Sequence, residues 1–237
     1  MTQGQPTRFG YVVALPGEQR ALRRGYARVR AARAPTMVRQ ALGAAAAHTA
    51  AQRLVADGAN VLVSFGVAAG LKRGLQTGTV LIADRVCWQR QDYLTDGAIV
   101  AALAAPDTGL APIRVGAHLG YADIVHAVAD KQSLYETHAA LGLDQESGAV
   151  AAAASDAGVS VVVVRVIVDS AMTPLPAQVA RWNAANGTTR YGQLALDVIR
   201  SPGLILALPR MARQFDVALR QLERAGAILA GIGLGNA

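Results

Sequence analysis

Two acidic residues stand at positions where catalytic carboxylates are common. Glu146 precedes an alanine-rich stretch, Ser147–Ala157, that predicts a helix ended by Gly158. Asp169 directly follows residues 159–168, a β-branched run of the kind that a strand buried on both faces needs. Because ligands bind outside the carboxyl ends of strands in open α/β sheets, Asp169 is a candidate general acid. Its position alone, however, favours an aspartate that only begins the next loop.

A third acidic residue follows the first predicted strand. Residues 10–15 (GYVVAL) predict a strand, residues 16–18 (Pro-Gly-Glu) a turn, and residues 19–32 an arginine-rich helix. At the start of a helix, a carboxylate such as that of Glu18 interacts favourably with the helix dipole. A purely structural role therefore explains Glu18 as well as a role in chemistry does.

The rest of the chain alternates helices and strands, and this alternation predicts one α/β domain over residues 1–237. Hydrophobic residues make up 52% of the sequence and aromatic residues 5%, so Ala, Val and Leu must provide most of the packing. The further predicted elements are a helix at 43–57, a strand at 60–66 that enters a glycine turn at 65–71, a strand at 79–86, a loop at 87–97, a helix at 98–105, a strand at 112–120 and helices from 191 to 199 and after 202.

The cysteine and histidine content argues against a metal site. Cys87 is the one cysteine, so neither an intramolecular disulfide nor a thiolate cluster can form. The four histidines lack the spacing of metal ligands. We predict no metal, and we expect each histidine to be a surface or packing residue.

Hydropathy and charge restrict the partners. No apolar run reaches the ~18–20 residues of a membrane span, and residues 1–9 lack the apolar core of a signal peptide, so we expect a cytoplasmic protein. The net charge is +7 and the pI is about 10.2. The arginines are spread over helices without aromatic stacking platforms, which argues against nucleic acid. A basic face suits a phosphate-bearing substrate and an anionic membrane surface equally well.

Two motifs resemble the nucleoside phosphorylase family, which includes purine nucleoside phosphorylases and methylthioadenosine/S-adenosylhomocysteine nucleosidases. The sequence DQESGAVA at 144–151 resembles D/E-M-E-x-x-A-[VI]-A, and RVIVDSA at 165–171 resembles R-x-[IV]-S-D. Gln145 stands where the family usually has the Met that packs on the sugar, and Val168 stands where a Ser often precedes the aspartate. Neither departure removes an acid. The resemblance implies a single domain with a central mixed β-sheet flanked by helices.

The resemblance also implies roles for the acidic residues. Asp169 would protonate the departing purine, Glu146 would bind the ribose hydroxyls, and Glu18 would orient an attacking water. Phosphorylases of the family instead hold phosphate with a Gly and an Arg from the same turn, which implies Gly17 and Arg20. Phosphate is thus a candidate co-substrate, no other cofactor is implied, and the choice between water and phosphate stays open.

Further substrate contacts are implied by two other segments. FGVAAGL resembles the family's x-x-G-[ST]-[AC]-G-[GA]-L. Taken alone, it favours a plain strand-to-helix connection, since it matches neither common phosphate-binding fingerprint. The stretch after the strand at 112–120 corresponds to an apolar wall over the base, followed by a helix whose Asp-Lys pair matches residues 130–131. Core packing explains its Ile-Val pair equally well. The substrate-binding candidates, with Glu146, are Gln145, Gly66, Val67, Ala68, Tyr121, Ile124 and Val125.

The segment 168–222 looks like the hopanoid-associated phosphorylases, which remove adenine from adenosylhopane. This resemblance implies a small-molecule nucleoside with a lipid tail, a homo-oligomer, and a candidate peripheral contact with the inner surface of the membrane. In the final helix, apolar residues recur at three- and four-residue spacing opposite arginines. That stripe either packs on the sheet or meets a membrane or an apolar substrate.

Two other functions remain open. A methylthioadenosine or S-adenosylhomocysteine nucleosidase would share the fold and both motifs, although the long apolar C-terminal region counts against it. A catalytically silent binding scaffold would explain the substitutions at Val67, Gln145 and Val168, although retention of Glu146 and Asp169 argues against it.

Overall fold

The computed structural model describes residues 6–30, 34–35, 38–110, 112–182, 191–201 and 203–235. These ranges contain eight strands, seven α-helices and two short 3₁₀ helices, at Pro106–Thr108 and Ala177–Arg181. The strands are β1 (Phe9–Val13), β2 (Val38–Gln40), β3 (Val61–Gly70), β4 (Val80–Trp88), β5 (Gln91–Leu94), β6 (Ile113–Gly120), β7 (Gly142–Asp144) and β8 (Ser160–Asp169). The helices are α1 (Pro16–Ala27), α2 (Ala44–Ala56), α3 (Gly97–Ala104), α4 (Val128–His138), α5 (Ser147–Ala157), α6 (Tyr191–Arg200) and α7 (Leu204–Gly235).

All eight strands belong to one mixed sheet. β1 pairs in parallel with β2 and β3, and β8 runs parallel to β3 but antiparallel to β4. The path from β3 through β7 and β6 to β4 closes through β8, so these five strands form a ring of pairings. The predicted architecture, one α/β domain with a central mixed sheet flanked by helices, is confirmed.

The valine run of β8 explains how the sheet is buried on both sides. Successive side chains of a strand point to opposite faces. Val162 and Val164 pack in the cluster that holds Leu222 of α7, whereas Val161 and Val163 pack in the cluster that holds helices α2 and α5. A strand covered on both faces needs apolar residues at every position, and this is what residues 160–168 supply apart from Arg165 and the terminal serine.

Helices α1 and α7 pack so closely that their backbones are in contact. A Cβ at Gly25 would overlap the carbonyl oxygen of Glu223 and come within 2.7 Å of the Ala227 nitrogen. A Cβ at Gly17 would lie 3.2 Å from the Phe215 ring. The contacts advance together along both helices, so α1 runs parallel to the middle of α7. The apolar stripe of the final helix therefore packs on α1 and the sheet, with Leu222 fully buried.

Trp88 packs on the first turn of α5. A Cβ at Gly148 would come within 2.6 Å of the Trp88 indole, and one at Gly120 within 2.8 Å. The indole thus occupies the space that side chains at these two glycines would fill.

Several local predictions were wrong. Residues 16–18 form the first turn of α1, which begins at Pro16 because proline at a helix start loses no hydrogen bond and has its φ preset. That helix ends at Ala27, earlier than predicted, and residues 31–32 of the predicted helix lie outside the described ranges. The expected glycine turn at 65–71 is instead the second half of β3, which continues to Gly70.

The predicted loop at 87–97 contains strand β5. Gln89 and Arg90 adopt φ values of 49° and 65°, which turn the chain tightly enough for β5 to pair back on β4. Neither residue type signals such a turn, so the hairpin was missed.

No helix in the described part of the chain is both long enough and apolar enough to cross a membrane.

Candidate active site

Arg165 is the centre of a buried cluster of polar side chains. It lies within the apolar run of β8 and is 1% exposed. Its Nε contacts the Asp144 carboxylate and donates to Ser147 Oγ at 3.1 Å, and its Nη2 donates to Ser64 Oγ at 2.6 Å. A second carboxylate, Glu146, lies 3.9 Å from Nη2. A charged guanidinium can be buried here because several acceptors replace its water.

Asp144 is the most strongly held acid of the cluster. Its Oδ1 accepts the N–H groups of Glu146 at 2.8 Å and Ser147 at 2.7 Å, at the start of α5. Its Oδ2 contacts Arg165, and His118 Nε2 at 3.0 Å. Burial alone would raise the pKa of Asp144, but Arg165 and His118 hold it well below its usual range. Asp144 is therefore a carboxylate that fixes the first turn of α5.

Glu146 lies next to this fixed carboxylate and behaves differently. It is 5% exposed, and its Oε1 accepts the N–H of Gly43 at 2.9 Å, at the N-terminus of α2. Burial and the negative charge of Asp144 raise the pKa of Glu146 to about 7, against the opposing effect of Arg165. This side chain can therefore change its protonation state near neutral pH.

Glu18 is held by three backbone amides. Its Oε2 accepts the N–H groups of Ala14 and Leu15, both at 2.8 Å, and its Oε1 accepts the Val67 N–H at 2.9 Å. Burial raises the pKa of Glu18, while Arg165 and the amides oppose the rise. Only glycine fits at position 66, because a Cβ there would lie 2.5 Å from both Glu18 Oε1 and Arg165 Nη1.

Asp169 ends β8 and pairs with a buried lysine. Lys131 of α4 is 0% exposed, and its Nζ contacts Asp169 Oδ2. The same ammonium donates to the carbonyl oxygens of Ser170 at 3.1 Å and Thr173 at 2.9 Å. Burial raises the pKa of Asp169, and the Lys131 charge opposes this rise. All three donor positions of the ammonium are thus used to fix Asp169 and the loop that follows it.

A cavity of about 410 Å³ lies beside this loop. It is lined by residues of α4, of the loop after β8 and of the segment after β3: Leu71, Lys72, Arg73, Val128, Gln132, Tyr135, Glu136, Ala171 and Met172. None of these was predicted as a site residue. Among the residues that the structure describes, no group of three or more His, Cys, Asp and Glu side chains could hold a metal ion.

A search against protein-family models assigns residues 12–200 to the phosphorylase superfamily. The chain belongs to the phosphorylase superfamily. The match begins within β1, includes Glu18, Glu146 and Asp169, and covers most of the 237 residues. Among curated proteins, the sequence has no significant match.

Solved structures with this superfamily fold include several nucleosidases. The 5'-methylthioadenosine/S-adenosylhomocysteine nucleosidase of Neisseria meningitidis, in complex with methylthio-immucillin-A, gives a TM-score of 0.68 at 14% identity, over 94% of this chain and 98% of its own. The corresponding nucleosidase of Helicobacter pylori, with butyl-thio-DADMe-Immucillin-A, gives 0.67 at 14% identity, over 99% and 100%. Native futalosine hydrolase of Helicobacter pylori gives 0.66 at 14%, over 98% of each chain. At these identities the likeness shows the fold.

The superfamily fold brings several predicted site residues together. Glu18, Glu146 and Val67 surround Arg165, since the Val67 carbonyl oxygen also accepts from Arg165 Nη1 at 3.3 Å. Gly66 and Ala68 are buried neighbours on β3. The strands β1, β3 and β8 run parallel, and β3 lies between β1, which Glu18 follows, and β8, which ends at Asp169.

The predicted base-pocket segment lies beside the helix start that carries Glu146. The Tyr121 N–H donates to the Asp144 carbonyl oxygen at 2.8 Å, and Gln145 Nε2 donates to the Ala122 carbonyl oxygen at 2.6 Å. Ile124 is half-buried in the same loop. The next residue, Val125, is buried in a small cluster with Leu71 and Leu143.

Gly17 and Arg20, the phosphate candidates, face other parts of the molecule. Gly17 packs under Phe215 and Leu219 of α7, and the Arg20 side chain is exposed on α1.

Sequence reasoning gave no role to Arg165, Lys131 or His118. An arginine inside a valine strand signals buried acidic partners, because its charge must be compensated. Lys131 is one of only two lysines among the 23 basic residues, which marks it as unusual in this chain. His118 was expected to be a surface or packing residue, and its 0% exposed ring instead binds Asp144.

Proposed function

We propose that this protein cleaves the N-glycosidic bond of an adenine nucleoside, with Asp169 as general acid. The single observation that carries the proposal is the burial of three carboxyl groups with raised pKa values, Asp169, Glu146 and Glu18, beside two buried cations. Acids that must exchange protons near neutral pH need such surroundings. Membership of the phosphorylase superfamily supports the reaction class.

Proton transfer from Asp169 would neutralise the departing purine. As the bond breaks, negative charge develops on the base, and the Asp169 carboxyl gives its proton to a ring nitrogen. Asp169 is then left as a carboxylate. Lys131 stabilises this carboxylate, since its ammonium already contacts Oδ2. Burial favours the acid before transfer and Lys131 favours the carboxylate afterwards, so both protonation states are accessible.

Glu146 would bind the ribose. An oxocarbenium-like ring carries positive charge in the transition state, and an ionised Glu146 that accepts hydrogen bonds from the ribose hydroxyls offsets it. With the pKa raised to about 7, the empty site holds Glu146 partly protonated. The binding of hydroxyl donors and the developing positive charge would both favour the ionised form.

Glu18 would hold the nucleophile. Its two oxygens are fixed by backbone amides and face Arg165, so a water bound between them would be oriented by groups that do not move. Phosphate would instead need cationic or amide donors. Of the phosphate candidates, Arg20 is exposed and Gly17 is covered by α7, and this placement favours water as the acceptor.

Adenosylhopane is our proposed substrate. The C-terminal segment resembles hopanoid-associated phosphorylases. The cavity beside the Asp169 loop has an apolar part, which Leu71, Val128 and Met172 line and which suits an apolar 5' substituent, next to charged side chains such as Lys72 and Glu136. A methylthioadenosine nucleosidase is the second candidate, since methylthioadenosine/S-adenosylhomocysteine nucleosidases are among the structural neighbours.

The test is adenine release by the purified protein from adenosylhopane and from methylthioadenosine, each with and without phosphate. We expect release from adenosylhopane, slowed about 100-fold or more by Asp169→Asn and unaffected by Asp156→Asn, a matched change at an exposed site on α5. A requirement for phosphate would overturn Glu18 as the water-binding residue. Adenine release from methylthioadenosine but not from adenosylhopane would make methylthioadenosine the substrate. Release from neither compound would contradict the proposed function.

A further inference from the structure

The outward faces of α1 and α7 carry most of the excess positive charge. Seven exposed arginines lie on these two helices, and none forms an ion pair within the described residues. Helix α7 has two acidic residues. Glu223 pairs with Arg28, and Asp216 is exposed. We call this surface the arginine face, and it consists of Arg20, Arg23, Arg24, Arg210, Arg213, Arg220 and Arg224.

Packing makes the arginine face continuous. Gly17 contacts Phe215 and Gly25 contacts Glu223, so the two helices run side by side and in the same direction. Their exposed arginines therefore form neighbouring rows. With 1.5 Å rise per residue, the row on α7 extends about 20 Å from residue 210 to residue 224.

Exposed apolar side chains continue the row at the start of α7. Leu206 is 84% exposed and Ile205 is 57% exposed. Leu206 precedes Arg210 by four residues and Arg213 by seven, so these three side chains share one face of the helix. Isolated exposed apolar residues are normal, but two adjoining ones that continue a basic row form the pattern of an interfacial helix.

We propose that the arginine face docks on the surface of an anionic lipid bilayer, with Ile205 and Leu206 entering the headgroup region. Arginines without acidic partners complement lipid phosphates, and each basic residue near such a surface contributes to binding. Nucleic acid fits less well, because the large exposed hydrophobic side chains of the described residues include no aromatic ring on which bases could stack.

Docking would bring the bilayer next to the loop after β8. Arg210 Nη2 lies 3.4 Å from Thr173 Oγ1, and the Thr173 carbonyl oxygen accepts from Lys131. The exposed side chain of Met172 lies in the same loop. This placement does not rest on the proposed function, and it holds for any ligand of the site.

Vesicle cosedimentation of the full chain tests the proposal without turnover. We expect binding to phosphatidylglycerol–phosphatidylcholine vesicles and little binding to phosphatidylcholine alone. Arg213→Gln/Arg220→Gln/Arg224→Gln should weaken binding on the order of 100-fold, from the loss of three surface cations. Ile205→Gln/Leu206→Gln should weaken it by about tenfold or more, since two apolar side chains leave the interface.

The control is Arg53→Gln/Arg90→Gln/Arg114→Gln, which removes the same charge from exposed positions away from α1, α7 and the loop after β8. Equal loss in this control would mean that net charge alone, and not the arginine face, binds lipid, and would overturn the proposal. So would equal binding to both vesicle types, or binding to single-stranded DNA in the absence of vesicle binding. Thermal unfolding of each variant checks that the fold is retained.

Discussion

The two buried ion clusters of this site use their cations in different ways. Arg165 contacts or faces three acids, Glu18, Asp144 and Glu146, and cannot compensate all of them. Lys131 contacts one acid, Asp169, and also donates hydrogen bonds to two backbone carbonyl oxygens. One cluster has more acidic groups than cations, and the other is balanced.

The difference shows how one fold can hold carboxyl groups in distinct protonation states. In the Arg165 cluster the closest acid, Asp144, stays ionised, and its charge helps raise the pKa of Glu146 to about 7. In the Lys131 pair, burial and a single cation act in opposite directions on Asp169. The number and placement of the cations therefore distinguish Asp144, which stays ionised, from Glu146 and Asp169, whose pKa values are raised.

Asp169→Asn should have the largest effect on turnover. The amide keeps the shape of the side chain but has no acidic proton to give, so we expect kcat to fall about 100-fold or more. Substrate binding should survive, which equilibrium binding of a non-cleavable adenosine analogue would measure. Near wild-type turnover would remove Asp169 from the mechanism.

Glu146→Gln should damage binding and turnover together. The ribose would lose a charged hydrogen-bond acceptor, a contribution of about 1.5–3 kcal/mol, so kcat/KM should fall roughly 10- to 100-fold. Steady-state kinetics separates KM from kcat. An unchanged KM would contradict a contact between Glu146 and the sugar in the ground state.

Lys131→Met tests the balanced pair with a side chain of similar length and no charge. We expect kcat to fall about tenfold, because Asp169 loses a charged hydrogen bond. Removing the cation also raises the pKa of Asp169, so activity that needs the protonated acid should persist to higher pH than in the wild type. The pH dependence of kcat is the measurement. A lower rate with an unmoved alkaline limb would mean that Lys131 acts only through structure, and Lys131→Arg, which keeps a cation, should restore that limb.

The smallest expected effect is on stability. The pKa of Glu146 is raised in the folded chain, so its contribution to stability is present below the unfolded pKa and is lost as pH rises through about 7. Between about pH 6 and about pH 8 the free energy of unfolding should fall by about 1 kcal/mol. Urea denaturation at both pH values measures it. Glu146→Gln should show a weaker dependence, and an equal slope in both proteins would assign the titration elsewhere.

The sequence predicts the elements whose pattern is long and uniform. Helix α5 has the predicted bounds, and β8 differs from its prediction by one residue at each end, because alanine and valine runs agree with one state over many residues. The short strands β2 and β7 were missed, since three residues carry too little periodicity. Strand β5 depends on two non-glycine residues with positive φ, which no residue pattern indicates.

The candidate site could be predicted only in part, because its contacts join distant segments. Motif resemblance predicted roles for Glu146 and Asp169, because their neighbours in sequence form a recognisable pattern. The cluster itself joins Glu18, Ser64 and Arg165, which are far apart in the chain and meet only when β1, β3 and β8 pair. The distances within this cluster decide that Asp144 is held ionised and that the pKa of Glu146 is raised, and the sequence does not contain these distances.

The fluorescence of the Trp88 indole can report on this site without an added label. The indole rests on Gly148, in the helix turn that begins at Glu146, so its fluorescence is a built-in optical sensor for that turn. The other tryptophan, Trp182, is buried elsewhere and donates to Asp197 at 2.8 Å. A chain with Phe at position 182 would leave Trp88 as the sole emitter, and stopped-flow recording could then time the arrival of a ligand at the start of α5.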